Sequence, residues 1–144
     1  MVFSLLKLIH CISIIVMFAS LGFNVAVLKS NLTLEDLKNL WRVQAAFWLS
    51  LCITCLCGII LLFFIGKPSQ YYSNNPLFIA KLIAFVSVIL LACPATAFLS
   101  KARKRPNIAL QAPKIIRLAT KAVFLPLAVA FLLATLVARG IGLQ

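Results

Sequence analysis

Four long apolar runs, separated by short polar stretches, constrain this chain more than any other feature of its sequence. They cover roughly residues 3–28, 41–65, 77–99 and 115–138, and each is long enough for an α-helix to cross about 30 Å of hydrocarbon. Hydrophobic residues make up 64% of the chain and charged residues 11%, which excludes an ordinary soluble domain. The sequence therefore predicts one all-α domain over residues 1–144, an integral membrane four-helix bundle.

Basic residues dominate the charge of the chain, with fourteen Lys and Arg against Glu35 and Asp36 and a formal net charge of +12. In a soluble protein this excess would suggest nucleic acid, but here the cations flank apolar runs without interleaved aromatic residues. We therefore expect the lipid bilayer as a partner, with anionic headgroups at the basic loops, and no nucleic acid. Other membrane proteins, or a second copy of the chain in a homo-oligomer, are further candidate partners.

The positions of these cations predict how the chain crosses the membrane. With four spans, the first and third loops share one side, which holds Lys29, Lys38, Arg42, Lys101, Arg103, Lys104, Arg105, Lys114, Arg117 and Lys121. The other side holds Lys7, Lys67, Lys81 and Arg139. Because cytoplasmic loops carry the excess of Lys and Arg, we expect both termini on the non-cytoplasmic side.

Two spans carry a stripe of residues suited to helix packing. In the first span, residues within about 80° of one another at helical pitch are His10, Ser13, Met17, Ser20 and Asn24. In the third span, Lys81 shares a face with small residues, which are Ala84, Val88, Ala92 and Ala95. Such stripes are typical of interfaces between membrane helices, so we expect both to face the bundle interior.

His10 and Lys81 are the main candidates for a binding site. They lie about 10 Å and about 6 Å deep from the same side of the membrane. A neutral imidazole can ligate haem iron and cations can hold carboxylates, so the candidate cofactors are haem, a porphyrin or a quinone. The candidate cofactor-binding residues are His10, Lys81, Arg139, Lys67 and Tyr72. The alternatives are that His10 only bonds to a neighbouring helix and that Lys81 snorkels to the interface.

The cysteines predict packing rather than chemistry. Cys52-x-x-Cys55-x-Cys57 has the spacing of a metal motif, but at helical pitch Cys57 points about 160° away from Cys55. An odd number of cysteines at membrane depth is also a poor disulfide framework. We expect neither a metal site nor catalysis, because no acid and no second histidine lies near His10 to orient it.

Local signals predict where helices begin and bend. Thr33, followed by two acids, predicts an N-cap and a short interfacial helix that leads into the second span. Pro113 suits the first turn of the last helix, and Pro94 and Pro126 predict kinks in the third and fourth spans. The first run is too long for a signal peptide and lacks its cleavage site, so we expect it to remain as a span.

A set of short motifs runs along nearly the whole chain. They are His10 with Phe18-Ala19, Asn31-Leu-Thr-Leu34, Gly66-Lys67, Tyr71-Tyr72, Asn75-Pro76 with Phe78 and Lys81, Pro94, and Ala138-Arg-Gly-Ile-Gly142. In this combination the chain resembles a bacterial family of predicted four-span membrane proteins without an assigned activity. The resemblance implies a multi-pass protein of the bacterial inner membrane. It also implies acids at the positions of Asn24 and Gln44, where this chain has amides.

A histidine early in the first span and a lysine at the start of the third form a narrower pattern. In these two residues the chain resembles HemJ-type protoporphyrinogen oxidases and CopD-type copper-resistance proteins. The HemJ likeness implies haem or porphyrin chemistry at His10 and Lys81.

Three functions are compatible with these observations. The first is a non-catalytic accessory or assembly factor that acts through helix packing and its basic cytoplasmic face. The second is a haem-, porphyrin- or quinone-binding membrane redox protein with its site near His10 and Lys81. The third is a small transporter subunit, which the lack of an acid within any predicted span argues against.

Overall fold

Helices account for nearly all of the structure, a computed structural model that describes residues 2–29, 31–65, 75–104 and 110–139. Helix α1 is Val2–Val27, and helix α2 is Leu34–Ile60, extended by a π-helical turn at Leu61–Ile65. Helix α3 is Pro76–Arg103, α4 is Lys114–Ala122 and α5 is Phe124–Ala138. Two short strands, β1 at Asn31–Leu32 and β2 at Leu110–Gln111, lie in the loops.

Four helical stretches are long and apolar enough to cross a membrane: Ser4–Val27, Leu34–Phe63, Pro76–Arg103 and Lys114–Val137. Their outer faces expose large apolar side chains such as Ile15, Leu49 and Leu90, which lipid tails would cover. The predicted all-α membrane four-helix bundle is thereby confirmed. The placement of both termini on the non-cytoplasmic side stays a prediction.

The start of α2 is set by a capping box. The Thr33 hydroxyl accepts a hydrogen bond from the Asp36 backbone N–H, and the Asp36 carboxylate accepts one from the Thr33 N–H, each at 3.1 Å. These bonds satisfy two N–H groups that a helix start leaves without partners. The predicted N-cap is confirmed, but the separate interfacial helix is wrong, because α2 runs on from Leu34 without a break.

Prolines shape the two later spans differently. Helix α3 starts with Pro76 after the N-cap Asn75 and continues through Pro94, where we expected a kink. The fourth span is interrupted at Val123, between α4 and α5. The interruption fits the chemistry of Pro126, which has no backbone N–H to donate to the carbonyl four residues earlier.

The bundle packs as two antiparallel hairpins. Helix α1 packs mainly against α2, and α3 packs mainly against α4 and α5, while α2–α3 and α1–α4 contacts close the ring. At the centre, Met17, Phe47 and Val88 are almost completely buried. Both predicted stripes face this interior, since the side chains of Ser13, Ser20, Asn24, Ala84, Ala92 and Ala95 are buried.

A short antiparallel ladder joins the two basic loops at one end of the bundle. Asn31 pairs with Gln111 and Leu32 pairs with Leu110. A second apolar cluster, which includes Leu40 and Leu99, fills the space beneath the ladder. We call this end the loop end, and the opposite end, where α1 begins and α5 ends, the terminal end.

Candidate functional site

A cavity of about 150 Å³ lies toward the terminal end, between α1, α2, α3 and α5. Its walls are mainly aliphatic and aromatic, with Phe85 and Phe131 on two sides. Among the described residues, the side chains that bring nitrogen or oxygen to its wall are those of His10, Thr54 and Lys81. The packing of the two stripes therefore places His10 and Lys81 on one cavity.

His10 contributes an imidazole that is half-buried at the wall of the cavity. Its Nδ1 atom is buried and has no hydrogen-bond partner among the described residues. The ring lies over Gly58 of α2, where an added Cβ would be 3.9 Å from Cε1. Nδ1 itself has almost no accessible surface, and the imidazole also interacts with the Thr54 backbone of α2, so the cavity meets the remaining edge of the ring.

The hydroxyl groups beside His10 are already occupied. Thr54 Oγ1 donates to Ser13 Oγ at 3.0 Å, and Ser13 Oγ donates to the His10 backbone carbonyl at 2.9 Å. This chain ties α1 to α2 and fixes the turn of α1 that carries the imidazole. Ser13 and Thr54 thus position His10 rather than offer free groups to the cavity.

Lys81 brings a positive charge to the same cavity without a carboxylate to balance it. The two acids of the chain, Glu35 and Asp36, lie in the first turn of α2 at the loop end. Lys81 Nζ lies 5.9 Å from the centre of the Phe78 ring, within the range of a cation–π contact. The ammonium is also close enough to His10 for the two side chains to interact electrostatically. An anion or a ligand oxygen would therefore be attracted to this cavity.

The other three candidate residues do not join this pair in the described structure. Arg139 is exposed at the end of α5 and is not among the residues that line the cavity. Lys67 and Tyr72 lie outside the described residues. The site that the structure brings together therefore consists of His10 and Lys81, with Thr54 and Gly58 added from α2.

A second polar cluster lies toward the loop end and links three helices. Asn24 Nδ2 donates to Gln44 Oε1 at 2.7 Å, and Gln44 Nε2 donates to Thr96 Oγ1 at 2.8 Å. Trp48 Nε1 also donates to Thr96 Oγ1, at 2.9 Å, and Thr96 returns its own proton to the Ala92 carbonyl at 3.0 Å. Trp48 is therefore partly buried against the other helices, with its indole N–H bonded inside the bundle.

Sequence reasoning identified Asn24 and Gln44 as polar residues within spans but did not pair them. A signal was present, since two amides at matching depth in consecutive antiparallel spans have few partners other than each other. Thr54, Gly58 and Thr96 carried no such signal. Threonine and glycine are common in membrane helices, so only the packing shows which of them matter.

The cysteines contribute little to either cluster. Cys52 and Cys55 are exposed and Cys57 is buried, as expected from their helical angles. Within the described part of the chain, no group of three or more His, Cys, Asp or Glu side chains is arranged to hold a metal ion. Cys55 reaches the cavity wall, where it adds polarizable surface.

The chain matches a known family over nearly its whole length. The family described as Predicted membrane protein (DUF2214) matches residues 3–142. No curated protein and no solved structure matches the chain.

Proposed function

The chain belongs to the family described as Predicted membrane protein (DUF2214), and we propose that it is a non-catalytic accessory protein that binds a lipid-soluble quinone between His10 and Lys81. One observation carries the proposal. The imidazole of His10 and an ammonium without a carboxylate, that of Lys81, line one cavity whose walls are otherwise mainly apolar. A quinone presents two carbonyl oxygens on opposite edges of an apolar ring, so a single ligand can accept a hydrogen bond from each side chain.

The volume of the cavity selects among the candidate cofactors. About 150 Å³ is the size of an engineered cavity in another protein that binds benzene. One quinone ring fits such a volume, and an isoprenoid tail can extend into the surrounding lipid. A porphyrin joins four pyrrole rings and exceeds it, so the volume does not support the haem alternative that the HemJ likeness suggested.

The proposed role is binding rather than catalysis or transport. His10 has no carboxylate to orient it or to take up its proton, since both acids lie at the loop end. Ion and proton pathways through membranes usually depend on acids within the spans. The chain places Asn24 and Gln44, rather than acids, in its interior.

We also propose which end of the bundle faces the cytoplasm in a bacterial inner membrane. We infer that the loop end faces the cytoplasm and anionic headgroups, because ten of fourteen cations flank its loops. The ladder between β1 and β2 supports a shared side for the two basic loops. In intact cells, an impermeant thiol reagent should label Gln144→Cys but not Lys104→Cys. The reverse pattern would show that the orientation is wrong.

Quinone binding can be tested with the purified full chain in detergent. We expect calorimetric titration with a short-tailed ubiquinone analogue to give saturable binding to the wild-type protein. His10→Phe and Lys81→Met should each weaken binding about tenfold, because each removes one hydrogen bond worth about 1.4 kcal/mol. Both replacements keep the approximate size of the side chain.

Arg139→Gln is the matched control, because it removes a cation at the terminal end that does not line the cavity. It should change the affinity less than twofold. Equal affinities for the wild-type protein, His10→Phe and Lys81→Met would overturn the proposal. A Soret band in the absorption spectrum of the purified protein would instead favour the porphyrin alternative.

A further inference from the structure

A groove on the opposite half of the molecule carries a second concentration of unbalanced charge. It has a volume of about 650 Å³ and lies between the end of α1 and helix α4 at the loop end. Its cations are Lys29, Lys114, Arg117 and Lys121. Apolar side chains, among them Val25 and Leu118, form the rest of its wall. We call it the basic groove.

The register of α4 explains why three of these cations share the groove. Lys114, Arg117 and Lys121 are spaced three and four residues apart, which places them on one face of a helix. Like charges at this spacing repel one another, so the helix is destabilised unless an anion lies between them. The apolar side chains of Ile115 and Leu118 in the same helix are exposed.

The acidic residues of the chain do not supply an anion to these cations. Asp36 is the acid close enough to Lys29 to interact with it, but its carboxylate is already bonded to the Thr33 N–H. Neither Glu35 nor Asp36 lines the groove, whereas four cations do. Arg117 lines the groove as well, and no acid among the lining residues pairs with its guanidinium.

We propose that the basic groove is a binding site for one acidic phospholipid, with its phosphate between Arg117 and the three lysines and its acyl chains along Val25 and Leu118. A guanidinium can bind a phosphate through two parallel hydrogen bonds, and lysines add charge from several directions. The apolar wall favours a lipid over free phosphate, because only a lipid has acyl chains that can pack against it. The site deepens the proposal that the loop end faces anionic headgroups, by naming where one of them is held.

The test uses the purified full chain in detergent, titrated with short-chain phosphatidic acid, short-chain phosphatidylcholine and inorganic phosphate in separate arms. We expect saturable binding of phosphatidic acid at least tenfold tighter than that of phosphatidylcholine. Inorganic phosphate should bind at least tenfold more weakly than the acidic lipid. Equal affinity for both lipids, or full displacement of phosphatidic acid by an equal concentration of inorganic phosphate, would overturn the proposal.

Variants separate a built site from general surface charge. Arg117→Gln should weaken phosphatidic acid binding at least tenfold, and Lys121→Gln, at an exposed position, at least threefold. Lys101→Gln removes an exposed cation at the same end that does not line the basic groove. It should change the affinity less than twofold. Equal losses in Lys121→Gln and Lys101→Gln would reduce the interaction to the general attraction of the loop end for anions and overturn the specific site.

Discussion

Asn24 and Gln44 toward the loop end, and His10 and Lys81 toward the terminal end, are polar residues of the bundle with different surroundings. The two amides bond each other and, through Thr96, a third helix. The imidazole and the ammonium line a cavity, and both acids of the chain lie at the other end of the bundle. The void beside the amides has a volume of about 10 Å³, against about 150 Å³ beside His10.

This difference indicates that the two ends of the bundle have different roles. In a membrane, polar side chains cannot bond to water, and hydrogen bonds between helices take the place of those bonds. The amide cluster therefore holds α1, α2 and α3 in register. Only Asn24 Oδ1 lacks a partner in the described part of that cluster. Open space and unpaired polar atoms at the terminal end do not stabilise the fold, and they are features that a ligand can use.

The largest expected effect on stability comes from replacing a buried alanine by leucine in each half of the bundle. Ala95 and Ala130 are both buried, but Ala95 lies beside the small void and Ala130 lines the cavity. Ala95→Leu should lower the free energy of unfolding by about 1–3 kcal/mol, because the surroundings cannot accept three further carbons. Ala130→Leu should leave it unchanged or raise it, and should abolish quinone binding. Reversible unfolding in mixed micelles, followed by tryptophan fluorescence, measures the difference; equal losses would contradict the contrast.

An intermediate effect is expected from breaking the amide cluster. Gln44→Leu leaves the buried Asn24 amide without its partner and should lower the free energy of unfolding by about 1–2 kcal/mol. Thr54→Val, which breaks the Thr54–Ser13 bond at the terminal end, should cost roughly 0.6 kcal/mol. Leu49→Ala, on the exposed face of the same helix, serves as the control. A greater loss in Thr54→Val than in Gln44→Leu would reverse the proposed roles of the two halves.

The smallest effect is expected from removing the unbalanced charge. Lys81→Met should raise the free energy of unfolding by up to about 1 kcal/mol, because a half-buried cation without a carboxylate disfavours the folded state. The same micelle unfolding series measures it. Lys104→Met, an exposed cation at the loop end, should have no measurable effect. A clear loss of stability in Lys81→Met would show that the ammonium is paired within the fold.

Several features of the fold followed from local signals. Helical periodicity alone predicted that Asn24 and Ala92 would face the interior, because a helix repeats its faces at a fixed angle. The cap at Thr33 was equally predictable, since it depends on residues three positions apart. The partner of Trp48 was not predictable in this way, because the Thr96 hydroxyl that accepts from its indole lies on another helix.

The candidate sites depended more on packing. His10 and Lys81 were identified because ionisable residues are rare in apolar spans, but Thr54 and Gly58 became part of the site only through contact between α1 and α2. The basic groove could likewise not be predicted from the sequence. Its lysines could be counted along the chain, whereas the convergence of the α4 cations with Lys29 on one groove depends on the packing of α1 against α4.

The sequence by itself determined that the chain lies in a membrane, the number of its spans and the inward faces of α1 and α3, because hydrophobic length and helical angle are local quantities. The tertiary structure decided which inward faces meet. Antiparallel packing set Asn24 opposite Gln44 and left space between His10 and Lys81. Whether a buried polar atom is satisfied depends on the distance to a residue many positions away, and only the packed bundle fixes that distance.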